Sequence, residues 1–177
     1  MNILKWLLLV LLLLSLNAFG QAPIDVASYL NNRQVSKIAK DFYKGRFKAS
    51  DDKNTMSIVD SLKTRNNTTR PFYIYLVSKI MTTADGALSE AVGYASKEFF
   101  KLHPNALVEF LYANNKMVEK KFISAWALQI AGEIMIDCEG NEKQCIRKSL
   151  QKTGAKTTKK NKARLTRFYK KIEGYCH

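Results

Sequence analysis

The chain has 177 residues, 46% of them hydrophobic, with 29 Lys and Arg against 15 Asp and Glu for a formal net charge of +14. That is one domain's length with enough apolar content for a sizeable core, which excludes wholesale disorder. Three Cys and two His are too few for a zinc-finger or disulfide-mesh protein, and eight Gly and three Pro supply too little turn chemistry for a many-stranded sandwich or barrel.

In chain order, Lys5 is followed by an unbroken apolar stretch from Trp6 to Leu14, and then by the small residues Ala18 and Gly20. This pattern predicts a secretory signal peptide over residues 1–20. A cut after Ala22 would place Pro23 against the peptidase, so cleavage is expected after Gly20, leaving Gln21 as the new N-terminus. The apolar run is shorter than the ~20 residues a spanning helix needs. No second segment of that length follows, so no transmembrane segment is expected in the mature chain. The expected localisation is secreted or periplasmic. Residues 21–177 then read as one all-helical domain.

From Pro23 the apolar residues Ile24, Ala27, Leu30, Val35, Ile38 and Phe42 follow helical spacing, interrupted at Asn31-Asn32 and ending near Gly45. Ser50-Asp51-Asp52 predicts a capped helix start ahead of Met56, Val59 and Leu62. Arg65–Thr69 reads as a polar loop and contains two Asn-x-Thr sequons, at Asn66 and Asn67. Pro71 suits a first helical turn, and Phe72–Met81 is apolar on every side except Ser78 and Lys79. A helix greasy all round is central in its bundle, although Phe72–Tyr75 are also good strand formers.

Asp85-Gly86 predicts a turn and cap before the stripe Leu88, Ala91, Val92, Ala95 and Phe99. His103-Pro104-Asn105 and Asn114-Asn115-Lys116 read as breaks around Leu107, Phe110 and Leu111. Phe122–Ile136 is the most apolar helix, with only Ser124, Gln129 and Glu133 polar. Gly140-Asn141 separates it from a short helix through Cys145, Ile146 and Leu150 that closes at Gly154. Thr157 or Thr158 caps a final basic helix, 156–173, carrying Leu165, Phe168, Tyr169 and Ile172. The connections are short, so the fold class is all-α: an antiparallel helical bundle or short α-solenoid of about six to eight helices.

Cys138 and Cys145 flank a six-residue corner between two helices, and an exported protein would close them as a disulfide. Cys176 is left over, able to exchange with Cys138 or to pair between molecules. The Cys and His spacing does not make a metal site, apart from adventitious binding at Cys176-His177. Asp85–Glu90 lacks the alternating acids of a calcium loop. No glycine loop cradles a phosphate, and no cofactor is expected. His103 sits in a His-Pro turn that reads as helix punctuation, not as a base for Cys or Ser chemistry. Glu133 is the weak catalytic candidate: it is the only acid inside its apolar helix, as a cell-wall glycosidase would need. The competing expectation is that Glu133 faces a Lys or Arg. Gln129 lies one turn before it, and no spacing motif singles out a second carboxylate among Glu90, Glu98 and Glu109.

The charge is unevenly placed. Lys5 is the only charge in the first 20 residues, so loss of that segment leaves +13. Eleven basic residues and no acid lie between Arg147 and Lys171. Lys156, Lys159, Lys160, Lys162, Arg164, Arg167, Lys170 and Lys171 crowd the final helix, with Phe168 and Tyr169 interleaved. A local basic block implies an electrostatic partner at one end of the molecule. The expected partner is an anionic envelope component or an acidic protein; the signal peptide argues against chromosomal DNA or RNA and leaves extracellular nucleic acid as an alternative. The function read from these residues is a secreted or periplasmic helical binding module. The alternatives are a small envelope hydrolase using Glu133 and a cationic membrane-active protein.

Overall fold

The computed structural model of the protein describes residues 26–113, 117–138 and 140–176. The predicted signal peptide, the helix opening at Pro23 and Ile24, the Asn114-Asn115-Lys116 break and His177 lie outside these residues. Among the described residues the fold is all-α, with nine helices, eight of them seven residues or longer, and no strand. They are α1 (Val26–Asn31), α2 (Lys37–Tyr43), α3 (Lys53–Asp60), α4 (Arg70–Met81), α5 (Gly86–Leu102), α6 (Pro104–Leu111), α7 (Lys120–Ile136), α8 (Glu142–Ala155) and α9 (Lys162–Glu173). Short 3-10 turns at Ser61–Lys63 and Lys159–Asn161 extend α3 and precede α9.

The helix starts follow side-chain chemistry. Ser36 caps α2 by accepting from the Ala39 amide at 3.2 Å, and Asp52 caps α3 by accepting from Thr55 at 2.8 Å. Asn141 does the same for α8 through Gln144. The interruption at Asn31-Asn32 divides the first segment into α1 and α2. Gly140 holds a φ of +81°, a conformation a side chain resists, and turns the chain between α7 and α8. Cys138 and Cys145 close that same corner as a disulfide with a Cα separation of 6.2 Å.

α7 is the central element, packed against α4, α5, α8 and α9. Packing against both α4 and α9, far apart in sequence, makes this a bundle, since a solenoid would confine contacts to neighbours. Phe72, Phe122, Trp126 and Phe168 are fully buried, each contributing roughly 1.5–3 kcal/mol of burial free energy. Phe72–Tyr75 lie inside α4, so the strand alternative is overturned. The Ser78 hydroxyl, the polar exception in α4, accepts from the Trp126 indole N–H at 2.8 Å and donates to the Ile74 carbonyl at 2.7 Å. A buried indole donor is thereby satisfied.

The last helix begins later than its sequence pattern predicts. α8 runs to Ala155, and α9 starts at Lys162, not 156. The cause is Asn105, at the start of α6. Its Oδ1 accepts from the Thr158 amide and the Asn161 side-chain amide, each at 3.0 Å, and its Nδ2 donates to the Lys156 carbonyl at 3.0 Å. These bonds draw 156–161 into a turn strapped to α6. Thr158 heads that turn without a side-chain capping bond, and Asn161 directly precedes α9, so neither Thr157 nor Thr158 caps the final helix as its pattern predicts.

Candidate functional site

The eight predicted basic residues lie on α9 and on the turn before it. Leu165, Phe168, Tyr169 and Ile172 recur at i, i+3, i+4 and i+7 and are all buried, which commits one face of α9 to the core. The Tyr169 hydroxyl meets Ser149 Oγ at 2.8 Å and Thr153 Oγ1 at 2.9 Å, locking α9 to α8. Burial pushes the Tyr169 phenol up in pKa, against the opposing pull of those two hydrogen bonds. The opposite face therefore points outward by geometry alone, and Lys162, Arg167, Lys170 and Lys171 are exposed on it.

The eight cations differ in how they are held. Lys156 Nζ donates to the Lys101 carbonyl at 3.0 Å, and Lys162 Nζ donates to the Gly154 carbonyl at 2.9 Å. Arg164 donates to Asn161 Oδ1 at 3.3 Å. The Arg167 guanidinium stacks 5.3 Å from the Tyr112 ring centroid, and the Lys171 ammonium lies 5.6 Å from that of Tyr175. Among the described residues only Lys160 of the eight reaches an acid, Glu109, and that at 4.0 Å. Carbonyls and rings orient these charges without cancelling them.

Arg167, Lys170 and Lys171 also form one wall of an open cleft of about 450 Å³. Lys120, Ile123 and Ser124, from the first turns of α7, form the other, and Tyr112 closes one side. No acid lines it. The nearby Glu119 pairs with Lys121 at 2.9 Å. Lys120 and Tyr112 are absent from the site that the sequence predicts. The apolar helical pattern starts at Phe122, which leaves the Lys120-Lys121 pair outside it, and nothing in the sequence brings residue 120 beside residue 170.

Glu133 has a different neighbourhood. It lies on α7 with Lys97 of α5 at 3.2 Å, and Asp137 holds the same ammonium at 3.0 Å. The Lys97 side chain is only 7% exposed. Burial works against its charge, but hydrogen bonds to Asp137 and Glu133 outweigh it and hold Lys97 above the ordinary lysine pKa. Gln129 donates to Ser89 Oγ at 2.9 Å one turn earlier. Gly93 lets α5 approach here: a Cβ at this position would stand 2.9 Å from Gln129 Oε1 and 3.0 Å from Glu133 Oε1. Glu98 pairs with Lys101, and Glu109 accepts from Asn161. The structure thus sets Glu133 as an ion-pair partner at a tightly packed seam.

The remaining chemistry is structural in placement. His103 caps the break between α5 and α6, and burial together with the Arg70 charge lowers its pKa. Cys176 is free, and its thiol donates to the Ile172 carbonyl at 3.6 Å. Burial and the charges of Glu142 and Glu173 push that thiol's pKa up, away from nucleophilic character. Among the described residues, no group of three or more His, Cys, Asp or Glu is placed to hold a metal ion, and no helix is long and apolar enough to cross a membrane. No protein-family model matches the chain, and no curated protein or solved structure matches it significantly.

Proposed function

We propose that the protein is a secreted or periplasmic binding module that docks on an anionic envelope partner through the outer face of α9. The observation that carries this reading is the lack of ion pairing there: among the described residues seven of the eight cations have no acidic partner within 4.0 Å. Uncompensated charge on a rigid helix contributes little to folding, but it attracts a negative surface strongly. Docking fits better than bilayer insertion, because the apolar face of α9 is already occupied by the core. Insertion would require that face to leave Phe100, whose ring lies 5.3 Å from that of Phe168.

The test is cosedimentation of the protein with phosphatidylglycerol vesicles and with phosphatidylcholine vesicles at low salt. Polyglutamate serves as a second probe, standing in for an acidic protein surface. Binding to the anionic probes should fall steeply with added salt. The variant Arg167→Glu/Lys170→Glu/Lys171→Glu should lose about a hundredfold or more, since each basic residue near an anionic membrane contributes about 1 kcal/mol. Equal retention of parent and variant at low salt would remove the reading. The compartment has its own check, the mass of the exported chain, which should begin at Gln21. Recovery only of an uncleaved intracellular chain would refute it.

A further inference from the structure

The cleft between α7 and α9 has features that a generic basic face lacks. Its four cations come from segments about fifty residues apart, Lys120 on one side and Arg167, Lys170 and Lys171 on the other. They line one open cleft that, among the described residues, has no acid in its lining. Arg167 is oriented in advance, since its guanidinium rests on the Tyr112 ring. A planar guanidinium fork matches the geometry of phosphate oxygens, and lysines add point charge around it. Ser124 contributes a hydroxyl at the same wall.

Charge stoichiometry narrows the ligand further. Four cations around one small cleft exceed what a single carboxylate or a phosphodiester, each carrying one negative charge, would neutralise. A phosphate monoester carries about −1.5 to −2 at neutral pH and offers three strong acceptor oxygens. The cleft is also open, as a headgroup standing on a surface requires, and Ile123 and Tyr112 give it apolar edges. We propose that this cleft recognises a phosphate monoester headgroup displayed on a lipid surface. The proposal rests on the basic-face reading above and adds the identity of the group bound.

The experiment compares vesicles matched in surface charge, one set made with phosphatidic acid and the other with phosphatidylglycerol, each in phosphatidylcholine. The protein should bind the phosphatidic acid set about tenfold more tightly, equivalent to ~1.4 kcal/mol. Lys120→Gln should abolish that preference, while binding to phosphatidylglycerol falls only by the roughly fivefold that any one surface cation contributes. Soluble glycerol 3-phosphate should compete for the phosphatidic acid vesicles. Equal binding to the two matched sets would overturn the proposal, as would a preference untouched by Lys120→Gln. Inorganic phosphate binding as tightly as the vesicles would also overturn it, by making a free anion the ligand. Failure to bind either set would overturn this proposal too, and the basic-face reading falls with it only if polyglutamate is also not bound, so the two ideas fail separately.

Discussion

At the seam between α5 and α7 a single lysine, Lys97, is held by two carboxylates, whereas on the outer face of α9 Arg167, Lys170 and Lys171 meet none among the described residues. The difference follows from solvent. A buried ammonium without partners costs several kcal/mol, so the interior accepts one only with its counter-charges. Water screens an exposed charge, so the surface can carry unpaired cations at little cost to folding. Positive charge at the seam is therefore architecture, and positive charge on α9 is available to something outside the molecule. The two regions can be set against each other by substitution.

The largest effect is expected at the seam. Lys97→Met removes the ammonium and leaves Glu133, whose side chain is 12% exposed, without its partner. Breaking such a buried pair from one side should destabilise the fold by about 3 kcal/mol. Adding Glu133→Gln should recover part of that deficit, because the remaining group no longer carries a charge. Urea denaturation of the three proteins measures both steps. A Lys97→Met protein as stable as the parent would break the comparison, since Lys97 would then be no more structural than Lys170.

A second interior substitution probes polar pairing without charge. Ser78→Ala removes the acceptor of the Trp126 N–H and strands that donor in the core. An unsatisfied buried donor costs about 1–3 kcal/mol, so the destabilisation should be near 2 kcal/mol, accompanied by a change in the near-ultraviolet signal of Trp126. An unchanged urea midpoint would show that Trp126 finds another acceptor.

These seams also mark the limit of what the sequence discloses. α4 and α7 were legible because a helix apolar on every side has nowhere to go but the centre, and Ser78 stood out because it interrupted that run. The Cys138–Cys145 bond was legible because both residues flank one corner. The basic face of α9 was legible as eleven cations with no acid between Arg147 and Lys171. What escaped depends on interactions between distant residues. Lys97 and Asp137 are forty positions apart, and Asn105 reaches more than fifty residues to strap the turn before α9. Lys120 joins the α9 cleft only because α7 and α9 pack side by side. Local periodicity reports which face of a helix is buried, but not which polar side chain on a neighbouring helix will be opposite.

A smaller effect comes from alkali. The folded Lys97 pKa lies above its ordinary value of 10.5. The stabilisation from its charge is therefore complete below that pH and is lost as pH rises through the higher folded value. Buried tyrosines with raised pKa values, among them Tyr169, lose stability in the same direction. The informative quantity is thus the gap between parent and Lys97→Met. It should narrow above about pH 10.5 and stay constant from there down to neutral pH. A gap that does not narrow in alkali would mean that the ammonium's charge is not what the seam uses.

The smallest expected effect is on the outer face of α9, and there a near-zero result is the informative one. Arg167→Glu/Lys170→Glu reverses two exposed charges that have no acidic partner among the described residues, while Leu165, Phe168, Tyr169 and Ile172 keep the helix in the core. Exposed substitutions of this kind change stability by about 0.5 kcal/mol or less. The variant does remove the stacking of Arg167 on Tyr112, which stabilises by about 0.5–1 kcal/mol at an exposed site. Relief of repulsion among the remaining cations acts in the opposite direction, so the net shift in urea midpoint should be close to none. The same variant should no longer be retained on anionic vesicles. A protein destabilised as strongly as Lys97→Met would show that these cations hold the fold together, and the division between a paired interior and an outward-acting surface would fail at its weakest-bound end.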